Sequence, residues 1–184
     1  MRSTFSYDLY RSEGERSKLL RVKLRKILFT PGCTYIFLFR HASEARNPVF
    51  KLMWLTMLHI TKVITGIQIP VGTQIGRGMR ILHFGTIVVN PSAVIGKNFN
   101  IAQGCLIGNS GGKHAGVPTI GDNCYMGANS IVVGGVKIGD DVLVAPGAFV
   151  NFDVPSNSIV MGNPGKIIPR DSSPTKKYIV YPVV

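Results

Sequence analysis

Through much of the chain an aliphatic residue returns every sixth position. Ile69, Ile75, Ile81 and Ile87 fall six apart, a two-residue slip restarts the count at Val89, and it runs on through Ile95, Ile101 and Ile107. After a longer interruption it resumes as Ile120, Met126, Val132, Ile138, Val144 and Val150. The next residue is repeatedly Gly or Ala (Gly76, Gly96, Ala102, Gly108, Gly121, Gly127, Gly139, Ala145), as a tight corner demands. Four positions after the aliphatic residue come Cys105, Cys124, Ser130, Val136, Val142 and Ala148, all small or β-branched. Six residues are too few for a helical solenoid unit and match a β-helix repeat. Each hexapeptide supplies a short strand and a corner, and three close a triangular coil whose aliphatic residues stack inside.

Before residue 66 the spacing is helical instead. Leu19, Leu20, Val22, Leu24, Ile27 and Leu28, then Leu52, Leu55, Met57, Leu58 and Ile60, predict two or three helices. TPGC (30–33) and RHASEARNP (40–48) read as the breaks between them. The apolar run 49–64 contains Lys51, His59 and Lys62, too interrupted to span a bilayer, and reads as a buried or membrane-surface helix. The predicted organisation is a helical region at 1–66, the β-helix at 67–162 with a loop at 109–116, and a tail at 163–184.

Composition adds constraints. With 184 residues and 45% hydrophobic content the chain suits one compact domain with an extension. The formal net charge is +12, and most of the surplus lies in residues 1–66, Arg2 included. Such a segment suits an anionic membrane face or a phosphorylated ligand, and without a nucleic-acid-binding motif nucleic acid is not expected. Three cysteines, Cys33, Cys105 and Cys124, form no paired motif, so neither a disulfide framework nor a zinc knuckle is expected. The first residues lack the apolar core of a signal peptide. The expected location is the cytoplasm, with the basic segment at the inner face of the membrane.

The stretches 75–108, 117–155 and GNPGKII (162–168) resemble bacterial serine acetyltransferases and related acetyltransferases of surface-polysaccharide clusters. The resemblance implies a left-handed parallel β-helix, an exception to the usual crossover hand. It also implies a homotrimer with acetyl-CoA held between neighbouring subunits.

Acyl transfer from a thioester to a hydroxyl needs a base for the hydroxyl proton and donors for the oxyanion. Histidine suits the base near neutral pH. His83 precedes Phe84-Gly85 where the family places its catalytic histidine. His114, in NSGGKHAG (109–116), falls in a loop that in the family reaches toward the acceptor, with Lys113 a weaker candidate. Gly127, Ala128, Ala145 and Pro146 match the corners that line CoA, with Gly108 and Asn109 as weaker matches, and Lys166 matches a cation near the CoA phosphates.

Two departures matter. Where a serine acetyltransferase has an aspartate fifteen residues before its histidine, and another directly before it, this chain has Gln68 and Leu82. Gln68 is then the candidate to orient His83. Because holding an ammonium without a carboxylate is costly, the expected acceptor is a sugar or glycan hydroxyl, with L-serine as the alternative. Other classes are a non-catalytic trimeric β-helix acting as a membrane or assembly module, and a γ-type carbonic anhydrase holding zinc through interface histidines. No metal is expected.

Overall fold

The computed structural model describes residues 3–184; Arg2 lies outside them. From Ile67 onward the chain winds as a parallel β-helix with three flat faces. The first face stacks Ile67–Gln68, Ile87–Val89, Leu106–Gly108, Ile131–Val133 and Phe149–Val150. The second stacks Gln74–Ile75, Val94–Ile95, Thr119–Ile120 and Lys137–Ile138. The third stacks Arg80–Ile81, Asn100–Ile101, Tyr125–Met126, Leu143–Val144 and Ser158–Met161, and Lys166–Pro169 closes it antiparallel.

Two- and three-residue strands cannot persist alone, so the stack carries the fold. Inside it, in-register aliphatic residues form columns: Val89, Ile107, Val132 and Val150 on the first face, and Ile81, Ile101, Met126 and Val144 on the third, all buried. At one edge the turn is made by side chains that tolerate the left-handed conformation, Asn98, Asn123, Asp141 and Asn157, with φ of 57°, 57°, 57° and 55°.

The register corrects the sequence reading at one point. Ile81 pairs with Ile101, but Val88 pairs with Leu106, so residues 82–87 of one coil face only 102–105 of the next. The two-residue slip therefore falls before Ile87, in the corner that carries His83. Ile87 pairs with Ile67 and shares the inward column that Cys105 continues, while Val89 joins the aliphatic column.

Four α-helices precede the coil, one or two more than the apolar spacing predicts: α1 Thr4–Glu13, α2 Leu20–Phe29, α3 Pro31–Glu44 and α4 Pro48–Thr65. Pro31 and Pro48 each start a helix, where proline's missing N–H costs nothing. The connections are thus shorter than TPGC and RHASEARNP, reducing to Thr30 and to residues 45–47. The Asn47 side chain caps α4 by accepting from the Val49 and Phe50 amides.

Helix α3 is the hub, packed against α1, α2, α4 and the third face of the coil. Gly32 is what lets it approach, since a Cβ there would stand 2.9 Å from Ile81 Cβ. Buried Arg40 donates to both Asp8 carboxylate oxygens (2.8 and 3.2 Å) and to the Ile75 and Gly76 carbonyls (2.8 and 2.7 Å), while Asp8 accepts from the Gly78 and Met79 amides. Removing either partner would strand a buried charge, at a cost of about 3–5 kcal/mol. Helix α4 is not the buried helix that is one reading of 49–64: apart from Leu58 and Thr65 its side chains are half-buried or exposed.

After Pro169 the tail runs back along the Asn98/Asn123/Asp141 edge. Ser173 donates to Asp141 (2.7 Å), Asn100 donates to the Tyr178 carbonyl (3.0 Å), and Asn98 exchanges two hydrogen bonds with Val183 (2.8 and 2.9 Å). Fully buried Arg11 of α1 donates to Asn100 (2.7 Å) and to the Val180 carbonyl, and burial lowers its pKa to about 10.

Candidate active site

The candidate residues gather on the edge where the third face turns into the first. In three coils that corner is four residues long: Ala102–Cys105, Gly127–Ser130 and Ala145–Ala148. Cys105 and Ala148 fill its inward end, and Gln103, Ala128 and Pro146 occupy its second position. The backbone ties the corners together, with the Asn129 amide donating to the Gln103 carbonyl and the Gly147 amide to the Ala128 carbonyl, both at 2.9 Å.

In the first coil the longer corner, 82–87, pushes outward. The Leu82 amide still donates to the Ile101 carbonyl (2.9 Å), so the ladder holds as far as Leu82 before the corner departs from it. His83 and Phe84 are both exposed. Gly85 has φ 129°, a conformation that favours glycine, and a Cβ there would lie 3.5 Å from Gln103 Cβ. His83, Gln103, Ala128 and Pro146 therefore lie at the same corner of four successive coils, which stack about 4.8 Å apart.

Gln103 is the residue that sequence reasoning missed. Its Oε1 is buried and has no hydrogen-bond partner among the described residues. A buried acceptor left this way costs about 1–3 kcal/mol. In the sequence it sits between Ala102 and Gly104 and looks like any corner residue; only the register sets it one coil on from the corner that carries His83.

Beyond Gln103 the edge is built from small side chains. A Cβ on Gly127 would meet Pro146 N and Cδ at 2.7 Å, so the corners close only over glycine. Ala145 is buried and Pro146 exposed, giving a smooth strip of small and ring side chains. Lys166, exposed, begins the closing strand opposite Met161.

The other candidates lie elsewhere. Gln68 is on the first face, in a groove of about 280 Å³ walled by Leu55, Leu58, His59 and Lys62 of α4, and makes no hydrogen bond with His83 among the described residues. Gly108, buried, ends a first-face strand, and exposed Asn109 starts the 109–116 loop that leaves the coil between the first and second faces. His114 sits there, its carbonyl accepting from the Gly135 amide (2.9 Å). Within one chain it is on a different edge from His83. The Lys113 side chain lies outside the described residues.

The thiols are packing groups. Cys105 and Cys124 are buried inside the coil, and burial raises both pKa values, that of Cys124 to about 12. A thiol so held stays protonated and is a poor nucleophile.

Residues 118–151 match the family described as bacterial transferase hexapeptide (six repeats). The chain is 32% identical to the serine acetyltransferase of Helicobacter pylori strain 26695, over 90% of this chain and 97% of that protein. It is 33% identical to the serine acetyltransferase of Synechococcus elongatus, over 85% of this chain and 64% of that longer protein. The solved serine acetyltransferase of Neisseria gonorrhoeae in complex with serine superposes with a TM-score of 0.72 at 25% identity, covering 89% of this chain and 67% of that one. Like those proteins, the chain folds as a left-handed parallel β-helix with N-terminal helices.

Proposed function

The chain belongs to the serine acetyltransferase family of hexapeptide-repeat transferases, and on that premise we propose that it moves the acetyl group of acetyl-CoA onto the side-chain hydroxyl of L-serine, with His83 as general base. The observation that carries this reading is the single edge on which His83, Gln103, Gly127, Ala128, Ala145 and Pro146 succeed one another. A pantetheine arm laid along it meets small side chains, with its thioester toward His83 and its phosphates toward Lys166.

His83 takes the hydroxyl proton as the serine oxygen attacks the thioester carbonyl. The tetrahedral intermediate then expels the CoA thiolate, which receives that proton from the imidazolium, leaving O-acetylserine and free CoA. Gln103 Oε1 accepts from His83 Nδ1–H once acceptor is bound, fixing the tautomer with Nε2 as the base. Gln68, on the strand that pairs with Ile87–Val89 just after the His83 corner, is the alternative for this role. A homotrimer brings the 109–116 loop of one protomer, with Asn109 and His114, to the His83 edge of the next.

The sugar or glycan acceptor expected first from the sequence gives way to serine, because the relatives are named for serine. One observation still favours the sugar reading. Leu82 and Gln68 carry no charge, and the nearby acid of α1, Asp8, is fully engaged by Arg40, Gly78 and Met79. The test is release of free thiol from acetyl-CoA with L-serine, simple sugars and nucleotide sugars in parallel. Serine is expected to give the highest kcat/KM, and His83→Ala is expected to lower kcat about a hundredfold or more with acetyl-CoA affinity nearly unchanged. A sugar preferred over serine transfers the assignment to the second reading; full turnover in folded His83→Ala removes the base.

A further inference from the structure

Most of the large apolar side chains that the fold leaves in water lie on α2 and α4. At 100° per residue α4 turns Trp54, Leu58, Thr61 and Thr65 toward the body of the protein. The opposite arc, about 160° wide, is apolar except for Thr56. On it Val49, Phe50, Leu52, Ile60, Val63 and Ile64 are 73, 58, 67, 53, 72 and 75% exposed. Lys51, Lys62 and His59 run along one border of this arc. On α2 the outward row Leu20, Leu24 and Leu28 lies directly beside Arg21 and Arg25.

The charge around these surfaces is one-sided. Among the described residues Arg21, Arg25, Arg46, Lys51 and Lys62 make no ion pair, whereas Asp8, Glu13 and Glu15 are each taken by an internal partner, Arg40, Lys26 and Lys18. Glu44 alone is left among the acids of this region.

We propose that α4, supported by α2, is a docking surface for an anionic phospholipid bilayer, its apolar arc lying in the plane of the headgroups. The helix has the form such binding uses, a broad apolar face bordered by lysine, and no helix among the described residues is long and apolar enough to cross a membrane. A second copy of the chain docked arc to arc is the poorer occupant. Face to face across a two-fold axis, the Lys51/Lys62 borders and the α2 arginines would meet like charges with no acid to answer them. Anionic headgroups supply that countercharge. The inference does not depend on which acceptor the His83 edge serves.

Co-sedimentation of the full chain with vesicles of phosphatidylcholine alone, and of phosphatidylcholine with about a third phosphatidylglycerol, tests it. Binding is expected to be at least tenfold stronger on the anionic vesicles and to weaken in high salt. Phe50→Glu with Ile60→Glu, and separately Lys51→Glu with Lys62→Glu, each alter exposed side chains and should each cost tenfold or more in binding while leaving circular dichroism and light-scattering mass unchanged. Equal binding to both vesicles, or none to the anionic ones, overturns the proposal. So does a fall in mass in the Phe50/Ile60 variant, which would make the arc an interface between copies.

Discussion

At the scale of single residues the proposed mechanism turns on His83 and Gln103. The sequence singled out the histidine because Phe84-Gly85 follows it as in the family it resembles, although Leu82 before it departs from that pattern. The glutamine was not legible there, since what singles it out is a buried unpartnered oxygen at the corner one coil beyond that of His83. If Oε1 holds the imidazole, Gln103→Met, which keeps the shape and loses the acceptor, should lower kcat about tenfold or more with the KM for acetyl-CoA unmoved. Gln103→Glu should raise the imidazole pKa, because a carboxylate favours imidazolium. The base must be neutral to act, so the rising limb of the pH–rate profile should move about one unit to higher pH. NMR titration of the His83 ring follows the same shift without turnover. A methionine variant with wild-type kcat and an unmoved profile would make Gln103 mere filling.

At the scale of elements, the six-residue period made the coil readable although no strand exceeds four residues. What it hid was where the slip falls, because Ile87 keeps the aliphatic spacing while its corner has already gained two residues. The helical region was less legible for a physical reason: α1 is fixed by buried Asp8 and Arg11, polar residues that an apolar count passes over. The corners yield a contrast between two glycines. Gly127→Ala forces a methyl into Pro146 and should cost about 1–3 kcal/mol in urea unfolding. Gly111→Ala, in the 109–116 loop with nothing within 4 Å and φ −91°, should change stability by less than about 0.5 kcal/mol. Equal losses at both would mean that the corner contact is not what holds the coils together.

At the scale of the whole molecule, a stack of coils is a one-dimensional object in which each layer touches only its neighbours, so it can in principle peel from either end. The returning tail alters that topology. Leaving the last coil at Pro169, it reaches Asn98 in the second coil and Arg11 in α1, so the two ends of the stack share hydrogen bonds. The molecule is in this sense a closed loop, and fraying at one end must break contacts at the other. Cooperativity should follow. Trp54, the single tryptophan, reports the helical end, while far-ultraviolet dichroism is dominated by the whole chain. In the intact protein the two signals should trace one coincident urea transition. Deleting residues 171–184 reopens the loop, and the fluorescence midpoint should then separate to lower urea, with the helices releasing before the coils do.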